Sequence, residues 1–393
     1  MEDGERKSPA PLGGREQGHQ LSTNTVSRDS EDVKGQIEKY LSLLHTRHEL
    51  QAHLQRVYFA RFFDSPDFRG NFWGCSRFSV DPVLSLWQKK QFFGAHYTGL
   101  VHCGNAICCP VCASNIATAR GNEMKIAVPA WLGESSDNTC FMVTLTFAHQ
   151  LSDCLSDLLQ QFKTARVSFW ENGSIKRYLK RAGVVGRITS TEIQFSDAFG
   201  WHPHQHVLCF ARRSFDVSAS VLQKHYLSAL HDAGLSGLRG IALDVTECRD
   251  VGSYLCKSGI SREMTAGHLK QGRGAGHYSP MQLAFESAQG APWATDRFFE
   301  LLLAVRGMHS LYWSRGLKAR FGIVDRTDEQ VAVDSGDVSS ERLLDLYAPD
   351  WHKLSQFERI TLQTVAATGK IKALEKLCDG YGVGHWREHK KER

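Results

Sequence analysis

The stretch Trp201-His-Pro-His-Gln-His-Val-Leu208 carries imidazoles at alternate positions, His202, His204 and His206. Alternate residues of a strand project to one face, so a strand here sets three rings in a row, as half of a metal shell requires. Pro203 has no N–H to give to a strand ladder and marks the strand entrance beside His202, which makes His204 and His206 the firmer pair. A loop at 196–200 pairs Phe195 with Trp201 and brings Glu192 opposite His204 on the same face. Either His202 or Glu192 then serves as the third ligand, or Glu192 accepts an imidazole N–H. By softness alone, imidazoles favour zinc, copper or nickel.

A second constellation lies downstream, where Asp250, Tyr254 and Lys257 are spaced by four and three residues along one face of a short helix, from about Arg249 to Ser258. On its own this is an edge-of-core pattern; following a metal-binding strand, Tyr254 becomes a candidate nucleophile. Five of the eleven cysteines, Cys75, Cys103, Cys108, Cys109 and Cys112, fall in one stretch. Cys109-x-x-Cys112 has the spacing of one zinc-binding turn, with Cys103 as third ligand, and Cys108, Cys75 and His102 compete for the fourth place. The long chain lacks a basic and apolar leader, which argues against a disulfide framework, and it has no membrane-spanning apolar run. A cytoplasmic protein is expected.

The elements that must hold these residues follow from periodicity. The chain has 393 residues, 42% hydrophobic and 23% charged, enough for a sizeable core and two or three domains. Residues 1–30 read as a solvated tail, 31–66 as an N-terminal helix, and 67–135 as a cysteine-rich segment. The 136–265 core reads as strand (Phe141–Phe147), helix (Ser152–Arg181), hairpin (Gly186–Phe195 and His204–Phe210), helix (Ser218–Ala233), strand (Gly240–Val245) and short helix. That order predicts an α+β fold, an antiparallel sheet with helices packed to one side. A Gly-rich linker (266–290) leads to a helical domain (291–380), with helices at Asp296–Val305, Ser340–Tyr347 and Leu354–Cys378, and then to a basic tail (381–393).

The combination of these motifs resembles the HUH endonuclease superfamily, specifically the single-tyrosine rolling-circle replication initiators of small bacterial plasmids. The Thr144-Leu-Thr146 strand, the His-Pro-His-Gln-His strand and the Tyr254-x-x-Lys257 helix occur in the family order, with Cys109-Pro-Val-Cys112 before them and Trp313-Ser-Arg-Gly-Leu317 after. The resemblance spans about Cys103 to Leu317. It departs from the pattern at Gln205, where the family carries a bulky apolar residue, and at Asp250, where initiators of the best-known plasmid type carry Glu.

The resemblance implies an HUH nuclease core that nicks single-stranded origin DNA with exchangeable magnesium or manganese. Tyr254 attacks to form a 5′-phosphotyrosyl link, Asp250 activates the water or strand that ends the cycle, and Lys257 holds a phosphate or lowers the tyrosine pKa. A DNA polymerase would extend the freed 3′-hydroxyl. A host helicase is expected as partner, because no Gly-x-x-x-x-Gly-Lys-Ser/Thr loop is present. Lys176, Arg177, Lys180 and Arg181, then Arg187, Arg212 and Arg213, are candidate phosphate contacts, and Trp170, Trp201 and Tyr178 are candidate stacking rings with core packing as their default role. The net charge of +5 permits a nucleic-acid partner without requiring one. The C-terminal helices are available to dimerise, to bind duplex origin DNA or to recruit the helicase. The competing readings are a non-catalytic zinc-containing DNA-binding protein and a related HUH transposase or relaxase.

Overall fold

The computed structural model describes residues 30–68, 70–90, 94–212, 217–248, 276–334 and 340–386. It is α+β, with two antiparallel sheets and packed helices. Helix α1 (Ser30–Phe62) lays Leu50, Leu54, Tyr58 and Phe62 inward at intervals of four, one helical stripe, and Tyr58 packs edge-on against Phe72 of the short α2 (Gly70–Gly74). Strands β1 (Val83–Lys89) and β2 (Ala95–Thr98) form a hairpin, and α3 (Pro110–Glu134) follows the cysteines.

The next elements are β3 (Asn138–Leu145), α4 (Leu155–Glu171), α5 (Gly173–Arg181), β4 (Gly186–Ser196), β5 (Gly200–Arg212), α6 (Ala219–Asp232) and β6 (Leu243–Cys248). The expected single helix from Ser152 to Arg181 is two. The Asn172 side chain accepts the backbone N–H of Ser174 and Ile175, capping a new helix instead of continuing the old one. The first sheet runs β6-β3-β5-β4-β7, where β7 is His277–Tyr278, and β8 (Leu311–Trp313) also pairs with β4.

Both faces of this sheet carry helices, where the sequence predicts one covered side. Val143, Val207 and Cys209 share a core with Phe162 and Phe169 of α4 and Tyr226 of α6. On the opposite face Cys140, Ile188, Leu208 and Phe210 pack under Met124, Val128 and Trp131 of α3. The even-numbered residues of β5 share this second face, so α3 covers its Leu208–Phe210 end and the histidines occupy the other.

The second sheet has the order β10-β9-β1-β2, where β9 is Ser340–Tyr347 and β10 is His385–Trp386. Ser340–Tyr347, expected as a helix, is therefore a strand. Its leucines lie in a core with Leu84 and Leu86 of β1, and its buried Asp345 accepts a hydrogen bond from Ser85 Oγ at 2.6 Å. Helices Gln356–Ala367 and Ile371–Gly380 cover this sheet; helices Pro280–Ala288 and Pro292–Ala304 pack in the main core. Pro280–Ala288 falls in the segment expected as linker and begins with a capping box between Ser279 and Gln282.

Among the described residues no helix is long and apolar enough to cross a membrane.

Candidate metal centres

The β4–β5 hairpin turns at Gly200, whose φ of +74° suits glycine, and a Cβ there would meet Gln150 O and Leu151 Cα at 2.9 Å. From this turn the ladder runs Phe195 to Trp201, Gln194 to His202, Glu192 to His204 and Ser190 to His206. Thr144 of β3 lies on the other side of His206. The register expected from the loop length is the one observed.

Glu192, His204 and His206 bring one donor atom each to within 4.8 Å of one another. Glu192 Oε2 is 3.4 Å from His204 Nε2 and 3.5 Å from His206 Nε2, longer than good hydrogen bonds. For metal–ligand bonds of about 2.1 Å, donors around one ion stand roughly 3.0 to 3.4 Å apart. Glu192 is 4% exposed, and a carboxylate buried so far needs compensating partners. Gln194 Nε2 donates to its other oxygen at 2.6 Å, and Thr144 Oγ1 lies 3.3 Å from His206 Nδ1. Nδ1 of His204 is buried with no hydrogen-bond partner among the described residues. A buried carboxylate between two inward-facing imidazoles fits a divalent cation with coordination positions left for a substrate.

His202 is in the row but outside this trio. Its Nε2 meets Thr146 Oγ1 at 2.8 Å, and its ring stacks on His149 with centroids 4.8 Å apart. Burial, and then neighbouring His204 and His149, push its pKa down to about 3, so its imidazole is neutral. His149 and Gln194 are neighbours that the motif reading missed. The β4 alternation that selects Glu192 also selects Gln194 on the same face, whereas His149 follows the end of β3 and carries no local pattern.

The sulfur atoms of Cys75, Cys103, Cys109 and Cys112 also lie within 4.8 Å of one another. Close pairs are Cys75–Cys112 at 3.5 Å, Cys75–Cys109 at 3.7 Å and Cys103–Cys112 at 3.8 Å. A tetrahedral zinc with Zn–S bonds of about 2.3 Å sets its sulfurs about 3.8 Å apart, whereas a disulfide needs about 2.05 Å. Hydrogen bonds from the Cys103, Cys109 and Cys112 thiols hold Cys75 well below the usual thiol range. Cys109 is the N-cap of α3 and Cys112 lies in its first turn; Cys75 arrives from the end of α2. Cys75 rather than Cys108 completes the group. Asn105 Oδ1 accepts the N–H groups of Ile107 and Cys108, fixing a turn that ends at Cys109, and burial pushes the Cys108 thiol pKa up. His102 stays adjacent, with Nδ1 3.8 Å from Cys112 Sγ.

Lys176, Arg177, Lys180 and Arg181 are exposed on α5, whose Ile175, Tyr178 and Leu179 are buried. Lys176 pairs with Glu171, and Arg177 donates to Ser174 Oγ; Lys180 and Arg181 have no carboxylate partner among the described residues. Arg187 lies over the Trp170 ring at 4.6 Å, and Arg212 is exposed. Trp170, Trp201 and Tyr178 are buried in the core. Asp250, Tyr254, Lys257 and Arg213 lie outside the described residues.

The chain is similar to a protein of Streptomyces lividans named "Protein rep", 24% identical over an alignment of 370 positions that covers 74% of this chain and 80% of that protein. It is also similar to a "Neomycin resistance protein" of Streptomyces cyanogenus, 29% identical over 155 positions covering 33% of this chain and 35% of that protein. No family model and no solved structure matches significantly.

Proposed function

We propose that this chain is a replication initiator that nicks one DNA strand at the origin of a plasmid or related element and holds the cut end on Tyr254. The observation that carries this reading is the Glu192, His204 and His206 trio on adjacent antiparallel strands. The similarity to a protein named for replication supports the process, over most of both chains. The resistance protein is matched over about a third of each chain and lends nothing to the activity.

A divalent cation held by Glu192, His204 and His206, magnesium or manganese on the HUH resemblance, would neutralise charge on the scissile phosphate as it develops in the transition state. The Tyr254 hydroxyl oxygen attacks phosphorus, the bond to the 3′ oxygen breaks, and that oxygen leaves as a hydroxyl after taking a proton. The phosphate stays on Tyr254 as a 5′ phosphodiester, so its bond energy is kept for rejoining. Asp250 activates the water or hydroxyl that ends the cycle, and Lys257 contacts the phosphate.

Chain geometry is compatible with this. Cys248 pairs with Cys140, four residues or roughly 13 Å along β3 from Thr144 beside His206. Tyr254 follows Cys248 by six residues, a reach of up to about 20 Å. Exposed Lys176, Arg177, Lys180 and Arg181 supply positive charge for the strand. In the same reading the four cysteines hold a structural zinc that joins α2 to α3.

The test uses purified full-length protein, manganese and single-stranded oligonucleotides from the DNA flanking its own gene, read on denaturing gels. The expected result is a covalent 5′-linked adduct with wild type and none with Tyr254→Phe. Binding without adduct or cleavage across the panel would replace this reading with that of a non-catalytic DNA-binding protein.

A further inference from the structure

A cavity of about 520 Å³ opens between α1, the β1–β2 hairpin, the start of α3 and helix Gln356–Ala367. It shares no lining residue with the histidine strand. Arg47, Arg56, Arg77, Lys89 and Arg359 line it, together with three histidines, and none of its described lining residues is Asp or Glu. The chain as a whole has 47 basic and 42 acidic residues, so composition alone does not produce this segregation.

Three of these cations are not paired with an acid. Arg56, Arg77 and Arg359 have no carboxylate partner among the described residues. Arg77 lies over Trp73 at 4.9 Å; Arg359 lies over Trp351 at 4.3 Å and donates to the Trp351 carbonyl at 2.9 Å and to the Arg77 carbonyl at 3.5 Å, while its Nε is buried and unbonded. Burial, then the nearby Arg56, disfavours the charge on Arg77; burial does the same to Arg359, with Arg77 adding to it. Guanidinium groups facing one concavity with no acid among its described lining residues repel one another, and an anion placed among them relieves that cost.

The cavity is larger than a lone phosphate needs and falls in the roughly 300 to 1,000 Å³ range of small-molecule sites. Its walls are also partly apolar, at Tyr97, Leu100, Leu354 and Ile360; the Gln55 and Asn115 amides on its lining donate to the backbone carbonyls of Phe72, Cys75 and Ala332. Guanidinium forks match phosphate oxygens, and an apolar wall matches a base face.

We infer that this cavity binds a nucleoside phosphate, either a free nucleotide or a single nucleotide of a bound DNA strand. The inference is of binding, and the sequence has no phosphate loop of the ATPase type. Its walls belong to α1, the cysteine segment and the second sheet, and Gln51 on its lining donates to Cys109 Sγ at 3.4 Å. Occupancy therefore ties the C-terminal sheet to the cysteine cluster. The inference does not depend on nicking.

Full-length wild type is titrated calorimetrically with ATP, dATP and inorganic phosphate, and by anisotropy with labelled oligothymidylate. The same titrations are run on Arg56→Glu and on Arg77→Gln/Arg359→Gln. Arg56 is exposed and has no carboxylate partner among the described residues, so its variant separates loss of ligand contact from loss of fold. The expected result is binding of ATP or dATP, or of the oligonucleotide, weakened about tenfold or more in both variants, a change of about 1.4 kcal/mol. Response of the free nucleotides identifies them as the ligand source; response of the oligonucleotide alone identifies the strand. The inference is overturned if wild type binds neither probe, if both variants bind as wild type does, or if inorganic phosphate binds as tightly as ATP.

Discussion

Glu192 lies directly across the β4–β5 ladder from His204, its Oε2 3.4 Å from the imidazole Nε2, and the same oxygen reaches His206 at 3.5 Å. One carboxylate oxygen thus addresses two imidazoles from a site that is almost fully buried. An ion among these donors offsets the cost of burying the carboxylate; a hydrogen bond at this spacing does so poorly.

Glu192→Gln keeps the shape and removes the charge. Manganese affinity, read by electron paramagnetic resonance of the free ion, is expected to fall by about 100-fold or more, since even outer partners of metal ligands are worth about 10 to 100-fold. Retention of wild-type manganese affinity would exclude Glu192 as a ligand.

The cysteine cluster makes an asymmetric prediction. Purified protein is expected to hold one zinc, Cys75→Ser to lose it together with thermal stability, and Cys108→Ser to keep it. Elemental analysis with thermal melts decides the matter. The reverse pattern would put Cys108, adjacent to Cys109, in the metal shell.

Arg120 fastens α3 to the segment after β8. It is 4% exposed and donates to Asp328 Oδ1 at 2.8 and 3.0 Å, to Glu123 at 2.6 Å and to the carbonyl of Arg326 at 2.8 Å. Arg120→Ala leaves two buried carboxylates short of their main cation, although Lys318 stays 3.5 Å from Glu123. The expected loss is about 3 to 5 kcal/mol, measured by urea unfolding. A loss under about 1 kcal/mol would mean that water reaches the carboxylates.

Cys378 gives a pH dependence. Burial, then Asp379 and Glu375, push its thiol pKa up from 9.0 to about 11. The unfolded thiol ionises first, so this stabilisation is complete below about pH 9 and is lost as pH rises toward 11. Cys378→Ala is expected to flatten the urea midpoint between these pH values, at the expense of a small cavity. An unchanged slope would assign the alkaline loss to other groups.

The histidine hairpin was legible because its information is local. Alternating His202, His204 and His206, a glycine at the turn and a short loop determine which residue of β4 faces His204. The second sheet was not. Leu343, Leu344 and Tyr347 fit a helical stripe as well as a strand, and only pairing with β1 decides between them. Cys75 was one of several contenders because it joins Cys109 and Cys112 through the packing of α2 on α1, which spacing does not encode. The two-sided cover of the main sheet was hidden for a similar reason: α3 comes from the cysteine segment, outside the run of alternating strands and helices that suggested the fold.

The second sheet has a consequence for synthesis. Strands β1 and β2 emerge early, while their partner β9 emerges only after the whole histidine sheet. On the ribosome the β1–β2 hairpin must wait, with the edge of β1 open, while the β4–β5 pair closes locally as soon as it emerges. The strands of the histidine sheet all lie, in sequence, between β2 and β9. A chain stopped short of Ser340 would keep its candidate metal ligands yet leave the β9-facing edge of the apolar β1 strand open, so premature termination threatens solubility before it threatens the candidate chemistry.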